Sequence, residues 1–319
     1  MIWIHRHTHG EDDMKKDLLT IQDITKEDYD RLIEKAMTIK ADIPAYYRAL
    51  EGRTVVLIFD KPSLRTRVTF EVAMCQFGGK SIYMPGQDIS LGKRETVADG
   101  ARNLSRWVDG IVMRTFGHDI IEELALHATI PVVNALTDLT HPCQALACML
   151  TLKEHLGDLE GRTLVFVGDG NNVAHSLMMA CPLAGMNFTL SCPEGYDADE
   201  SIVAIAKKSA GEHGTSWNLV RDPSEAVKNA DVIYTDVWAS MGQEEEAGER
   251  AHAFEGFQVN SGLMANAPKG CLVTHCLPAH RGEEITSDVL DGPTCVAFDE
   301  AENRLHIQKA VLHELIIRG

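Results

Sequence analysis

The residue types best suited to chemistry cluster in a few short segments. In FDKPSLRTRVTF, an apolar run ends at Phe59, and Ser63, Leu64, Arg65, Thr66 and Arg67 follow the turn at Pro62. Ser63 stands where a helix would be capped, and arginines in a first helical turn have the wrong sign for the helix dipole. The misfit disappears if an anion occupies the turn. First-turn N–H groups, the hydroxyls of Ser63 and Thr66 and the Arg65 guanidinium would then form a phosphate cradle. A plain serine cap with solvated arginines is the alternative. Glycine is nearly absent from the loop, so neither a Walker loop nor a Rossmann turn explains it.

Arg114 closes another apolar run, DGIVMR, at the carboxyl end of a predicted strand, the edge where open parallel sheets bind ligands. In LTDLTHPCQAL, His141 and Gln144 lie one helical turn apart at a helix start. A histidine held there can donate to a carbonyl oxygen as charge grows on it, though a capping or packing role fits the segment equally. In VFVGDGNNVAHSL the turn through Gly168 and Gly170 looks like a dinucleotide fingerprint, but Val173 replaces the third glycine and no acid ends the next strand. Asn171 and Asn172 can instead hydrogen-bond a zwitterionic head group. Asp236, ending DVIYTD, can fix an ammonium group. In THCLPAHRG, Cys276 is either a polarisable contact for an amine or a small buried apolar residue. It does not read as a nucleophile, because a neighbouring carboxylate raises a thiol's pKa. His275 and His280 could suggest zinc, but the other cysteines lack the ligand spacing for it.

These segments need an alternating scaffold. Strands are expected at 54–59, 81–84, 109–114, 130–134, 163–168, 187–192, 215–220, 231–235, 271–275 and 295–298, with helices between them near 64–77, 95–107, 118–128, 142–156, 171–184, 199–210 and 283–290. An opening helix follows Thr25. The alternation predicts an α/β protein of two doubly wound domains, each a central parallel sheet flanked by helices. The expected boundaries are 14–150 and 151–304, with an amphipathic helix at 305–319 packing back on the first domain. Residues 1–13, which carry His5, His7 and His9, are expected to be a mobile extension rather than a metal site.

The chain has 319 residues, with 30 basic against 47 acidic side chains and a net charge of −17. That balance argues against nucleic acid or anionic lipid as a partner, so any bound anion needs a local cluster of cations. No apolar run approaches the roughly 18 residues of a membrane span. The eight cysteines form no Cys-x-x-Cys pair, and reduced thiols in a cytoplasmic setting are expected.

Taken in order, these segments resemble the aspartate/ornithine carbamoyltransferase family from about Leu18 to the C-terminus. The resemblance rests on Ser63-Leu64-Arg65-Thr66, Met113-Arg114-Thr115, His141-Pro142-Cys143-Gln144, Asp169-Gly170-Asn171-Asn172, Asp236 to Gly242 and His275-Cys276-Leu277-Pro278. It implies carbamoyl phosphate between the domains. Its phosphate would lie on Ser63, the Leu64 backbone, Arg65, Thr66 and Arg114. Its carbonyl oxygen would meet Thr66, His141 and Arg304, with Gln144 and the backbone of Cys276 or Leu277 near the amide. L-Ornithine would place its head group on Asn172, Asp236, Ser240 and Met241 and its side-chain amine near Asp236 and Cys276. Arg114, His141, Asp236 and Cys276 carry the catalysis in this reading. Transfer would be direct, with no cofactor, metal or covalent enzyme intermediate.

The loop Ser240-Met241-Gly242 together with the cysteine segment looks like the ornithine type, whereas the putrescine enzyme lacks the first and the aspartate enzyme the second. Leu64 departs from the family's common threonine. Ser90 stands in the loop expected to reach a neighbouring subunit, where histidine or glutamine is common, and Cys148 stands where aspartate is common. The family's homotrimer is implied by resemblance. Competing readings are a related amine as acceptor, a nicotinamide oxidoreductase built on Gly168, and a binding protein that keeps only the anion site.

Overall fold

The computed structural model describes Met14 and residues 16–89, 95–239 and 246–318. Ser90, Ser240, Met241 and the three early histidines lie outside the described residues. In chain order the elements are α1 (Lys26–Ala41), β1 (Thr54–Phe59), α2 (Arg65–Gln76), β2 (Lys80–Pro85), α3 (Gly86–Ile89), α4 (Val97–Leu104), β3 (Gly110–Arg114), α5 (His118–His127), β4 (Val132–Leu136) and α6 (Pro142–Leu156). There follow β5 (Thr163–Val167), α7 (Asn172–Leu183), β6 (Asn187–Ser191), α8 (Glu200–Glu212), β7 (Trp217–Leu219), α9 (Pro223–Ala226), β8 (Val232–Thr235), α10 (Ala247–Ala253), α11 (Ser261–Met264), β9 (Leu272–His275), α12 (Ser287–Leu290) and α13 (Ala297–Arg318).

The strands form two sheets, ordered β2-β1-β3-β4 and β7-β6-β5-β8-β9, in which the paired strands run parallel. In the first sheet the chain reverses its direction of travel between β1 and β3, and in the second between β5 and β8. Such switch points open a crevice at the carboxyl ends of the strands. The segments singled out for chemistry leave those ends: Arg65 follows β1, Arg114 ends β3, Asn171 follows β5 and Asp236 follows β8.

Burial explains why these runs are strands. Along β1, Val55, Leu57 and Phe59 face a core shared by both sheets, while Val56 and Ile58 face the outer helices α4 and α5. The shared core passes through α6, which is buried from Pro142 to Thr151 and on to Leu152, and through α7. A helix buried all round belongs in the middle of the molecule. α13 packs on α1, α2 and α6 and so returns to the first sheet.

Several expected boundaries move. Residues 295–298 do not make a strand: Cys295 forms one isolated bridge with Val273, and α13 begins at Ala297. Arg304 therefore lies about two turns inside the final helix rather than ahead of it. The expected helix at 283–290 contracts to α12, because Glu284 is drawn inward to His275 and the His280 backbone. Ser63 does not cap α2. Leu64 takes the cap position, makes no side-chain capping bond and is 73% exposed.

Candidate active site

The two crevices face each other, and the basic residues of the first converge there. Arg114 is buried at the end of β3, and burial, with Arg304 and Arg65 as neighbouring charges, lowers its pKa to about 10. Arg65 is pulled down by burial, against the opposing pull of Cys276 and Asp236 across the crevice. Arg304 is fully desolvated and likewise lowered. All three remain guanidinium ions at neutral pH. Two like charges 4 Å apart repel by about 4 kcal/mol at an effective dielectric near 20, so such a cluster favours an anion in its midst.

His141 sits below this cluster with its Nδ1 buried and unpartnered among the described residues. Burial, and then Arg304, Arg114 and Arg65, hold its imidazole well below the ordinary range. It is therefore neutral at pH 7 and can donate one ring N–H without adding charge. Its backbone N–H donates to Ser176 Oγ at 2.7 Å, which fixes the start of α6 against α7.

A buried polar chain links the remaining groups. Arg304 donates through Nη2 to Thr66 Oγ1 at 3.0 Å and through Nη1 to Gln144 Oε1. Gln144 Nε2 in turn donates to Glu300 Oε1 at 2.5 Å. Glu300 also accepts from Tyr234 OH at 2.7 Å and Thr274 Oγ1 at 2.6 Å. Burial raises the Glu300 carboxyl, opposed by these donors and by Arg304. Cys148, one turn beyond Gln144 in α6, lies against the same carboxylate, and burial followed by Glu300 pushes its thiol well up.

On the second sheet, Asp236 Oδ1 accepts from Cys276 Sγ at 2.7 Å and from Val237 N at 2.8 Å, while Oδ2 accepts from Asn171 Nδ2 at 2.8 Å. Asn171 meanwhile caps α7 through bonds from Val173 N and Ala174 N to its side-chain oxygen. Burial and then Asp236 push the Cys276 thiol far up, so it stays protonated and is a donor, not a nucleophile. Leu277 adopts φ 55°, the left-handed region that a leucine rarely visits, and its N–H donates to His275 Nδ1 at 2.8 Å. The opposite ring nitrogen of His275 pairs with Glu284 at 2.9 Å.

Asp236, His275 and Cys276 offer ligand atoms within 4.8 Å of one another, the spacing a cation could bridge. Both His275 nitrogens are committed to protein partners, so a metal would have to displace one of them. Asn172 Nδ2 donates to the Thr137 carbonyl at 2.6 Å, which ties α7 to the loop after β4. Arg67 leaves the cluster: it stacks over Tyr83 at 3.5 Å and pairs with Glu71 at 2.9 Å. Gly170 answers the dinucleotide reading, since a Cβ there would lie 2.2 Å from Ala198 N. The missing side chain accommodates the protein's own backbone.

Two family models match the chain: "Aspartate/ornithine carbamoyltransferase, carbamoyl-P binding domain" over residues 16–154 and "Aspartate/ornithine carbamoyltransferase, Asp/Orn binding domain" over residues 160–315. The chain belongs to the aspartate/ornithine carbamoyltransferase family. Among curated relatives, an ornithine carbamoyltransferase of Syntrophus aciditrophicus is 53% identical over 95% of this chain and 100% of its own length. One from Pyrococcus abyssi is 52% identical over 94% and 96%. Among solved structures, ornithine carbamoyltransferase from Pyrococcus furiosus matches with a TM-score of 0.91 at 52% identity, covering 94% of this chain and 96% of that one. An acetylornithine transcarbamylase complexed with acetylcitrulline matches at 0.85 with 33% identity, over 94% and 99%.

Against the family resemblance drawn from sequence, Arg65, Thr66, Arg114, His141, Gln144 and Arg304 come together, and Asp236 and Cys276 meet across the crevice. Sequence reasoning missed Lys61, Tyr234, Thr274 and Glu300. Lys61 is 5% exposed, pairs with Asp138 and lies 4.3 Å from the Phe116 ring centre, bracing the turn that leads into α2. The one signal for Glu300 is its spacing. It falls with Arg304 on the stripe of α13 that continues through Ile307 and Val311, so two opposite charges interrupt an apolar face.

Proposed function

We infer that the chain transfers the carbamoyl group of carbamoyl phosphate to the side-chain amine of L-ornithine, giving L-citrulline and phosphate. The observation that carries this reading is the convergence of the buried Arg114 and Arg304 guanidinium ions and the half-buried Arg65 on a neutral His141, directly across from the Asp236–Cys276 pair.

The phosphate lies on Arg65, Arg114, the Ser63 and Thr66 hydroxyls and the backbone N–H groups of the first turn of α2. This use of Leu64 needs only its backbone, which agrees with its outward side chain. The carbonyl oxygen faces Thr66, His141 and Arg304. Gln144 and the backbone of Cys276 and Leu277 take the amide. The Leu277 N–H is already used, so its carbonyl is the group that can accept from a carbamoyl NH₂.

The amine attacks in its neutral form. As its nitrogen bonds to the carbonyl carbon, charge moves to the carbonyl oxygen, where preformed donors stabilise it without reorganising. The carbon–oxygen bond to phosphate then breaks, the nitrogen's extra proton passes to the departing phosphate oxygen, and the arginines hold the charge of the resulting hydrogen phosphate. Asp236 orients the amine, while the protonated Cys276 supplies a polarisable contact. Ornithine's head group is assigned to Asn172, Asp236, Ser240 and Met241.

The working unit is a homotrimer, with Ser90 reaching a neighbouring site, as family membership suggests. Eight free thiols support a cytoplasmic setting. A Pyrococcus furiosus relative, 52% identical, is named anabolic, which supports a place in arginine synthesis. The test is citrulline and phosphate formation from carbamoyl phosphate with L-ornithine, putrescine and N-acetylornithine offered in parallel. Turnover with ornithine alone is expected; preference for either other amine overturns the assignment.

A further inference from the structure

We propose that Glu300 is the positioning residue that holds the carbamoyl half and the amine half of the site in register. The inference rests on the reading above but concerns a residue that touches neither substrate in it.

Its partners divide between the two halves. On one side its Oε1 takes the Gln144 amide nitrogen at 2.5 Å, which leaves Gln144 Oε1 to accept from Arg304. The carboxylate therefore fixes which end of the Gln144 amide faces which neighbour, and an amide flip would put an N–H against a guanidinium. On the other side it takes Tyr234 OH at 2.7 Å and Thr274 Oγ1 at 2.6 Å. Tyr234 lies on β8 two residues before Asp236, and Thr274 lies on β9 two residues before Cys276. Because side chains repeat every second residue along a strand, each anchor lies on the same face of its strand as the amine-binding residue beyond it.

One carboxylate on α13, a helix packed with the first sheet, thus grips both strands that carry the amine pocket. It also grips the glutamine that meets the carbamoyl group. All four groups are buried, so water offers no substitute for a lost bond. A nucleophile and a carbonyl misplaced by about 1 Å lose about 10²-fold in rate even when each is still bound.

Two substitutions separate position from charge. Glu300→Asp keeps the charge beside Arg304 but is one methylene too short to span Gln144 and both strands. Glu300→Gln keeps the span and loses the charge. We expect Glu300→Asp to lower kcat about 10²-fold and Glu300→Gln about 10-fold, with both KM values within about fivefold of wild type. Tyr234→Phe, which cuts only the tie to β8, is expected to lower kcat about 10-fold and to add nothing in the Glu300→Asp background, because both act through one carboxylate.

Glu300→Asp within threefold of wild type, the reverse order of the two variants, or losses that multiply in the double variant each overturn the proposal. If the Glu300 variants fail to fold by circular dichroism, Tyr234→Phe and Thr274→Val decide it, and wild-type kcat in both overturns it. A wild-type chain that makes no citrulline defeats the functional reading itself, whereas a working wild type with insensitive variants defeats only this inference.

Discussion

Cys276 Sγ donates a 2.7 Å hydrogen bond to Asp236 Oδ1, joining the ends of β8 and β9. The thiol is therefore a structural donor to the carboxylate expected to receive the amine. Cys276→Ser preserves the donor and changes only size and polarisability, so kcat with ornithine should fall by about 10-fold. Cys276→Ala leaves a buried carboxylate one partner short, a further loss of about 1–3 kcal/mol, and should cost about 10-fold or more beyond the serine variant. Carbamoyl phosphate affinity, measured by titration calorimetry, should be unchanged in both. Equal losses in the serine and alanine variants would reject the hydrogen-bonding role.

Arg65 should matter to the other substrate. Two charge-assisted hydrogen bonds at about 2 kcal/mol each correspond to about 10³-fold in affinity. Arg65→Ala should therefore raise the KM for carbamoyl phosphate by that order while the unfolding temperature stays near wild type. Relief of repulsion among Arg65, Arg114 and Arg304 offsets part of the lost contact in the empty protein. An unchanged KM would remove the phosphate cradle from the account.

Lys309 provides a stability test away from the chemistry. Among the described residues its Nζ, buried in α13, has no hydrogen-bond partner; it lies 5.8 Å from the Phe77 ring centre, and burial lowers its pKa to about 8 from 10.5. Between those values the unfolded chain holds a proton that the folded one has lost, so this residue's contribution to stability rises with pH across that window. Lys309→Met should unfold at a higher temperature than wild type at pH 7. The difference should narrow as pH rises from 8 to about 10.5, when followed by thermal denaturation.

His141 titrates with the same sign in a lower window. Its folded pKa lies well below 6.5, so the unfolded chain binds the proton first as pH falls. Wild-type stability should fall on acidification below about 6.5, and His141→Gln should remove that part of the slope. Activity in the glutamine variant should drop about 10²–10³-fold, the usual loss for one donor to a developing oxyanion. A pH-independent gap between the two proteins would show that folding does not lower the His141 pKa.

The scaffold was legible because two periods alternate cleanly: Val55 to Phe59 and Leu164 to Val167 are buried on both faces, while helices between them such as α4 and α5 bury one face. Arg65, Arg114, His141 and Asp236 could be read because each follows or ends such a strand. Ser63 misled because a serine before a helix suits a cap, yet the chain begins the helix one residue later and leaves the first-turn amides without a side-chain partner. Glu300 was hidden for a different reason. The sequence placed it between an expected strand at 295–298 and a helix from 305, and only the fold shows it on α13, enclosed by Tyr234, Thr274 and Gln144. Lys61 was hidden by a loop that reads as charged surface.

The return of α13 to the first sheet makes the order of synthesis matter. Arg304 follows every strand of both sheets in chain order, so a nascent chain that has already folded its first sheet still lacks one of the three cations clustered at the carbamoyl phosphate site. A fragment ending after α6 would be missing that guanidinium and would also uncover the apolar surface that Ile307, Val311 and Leu315 shield. Anion capture therefore requires α13 as well as the first sheet, and cutting the protein between its sheets should yield halves that neither bind nor stay dispersed.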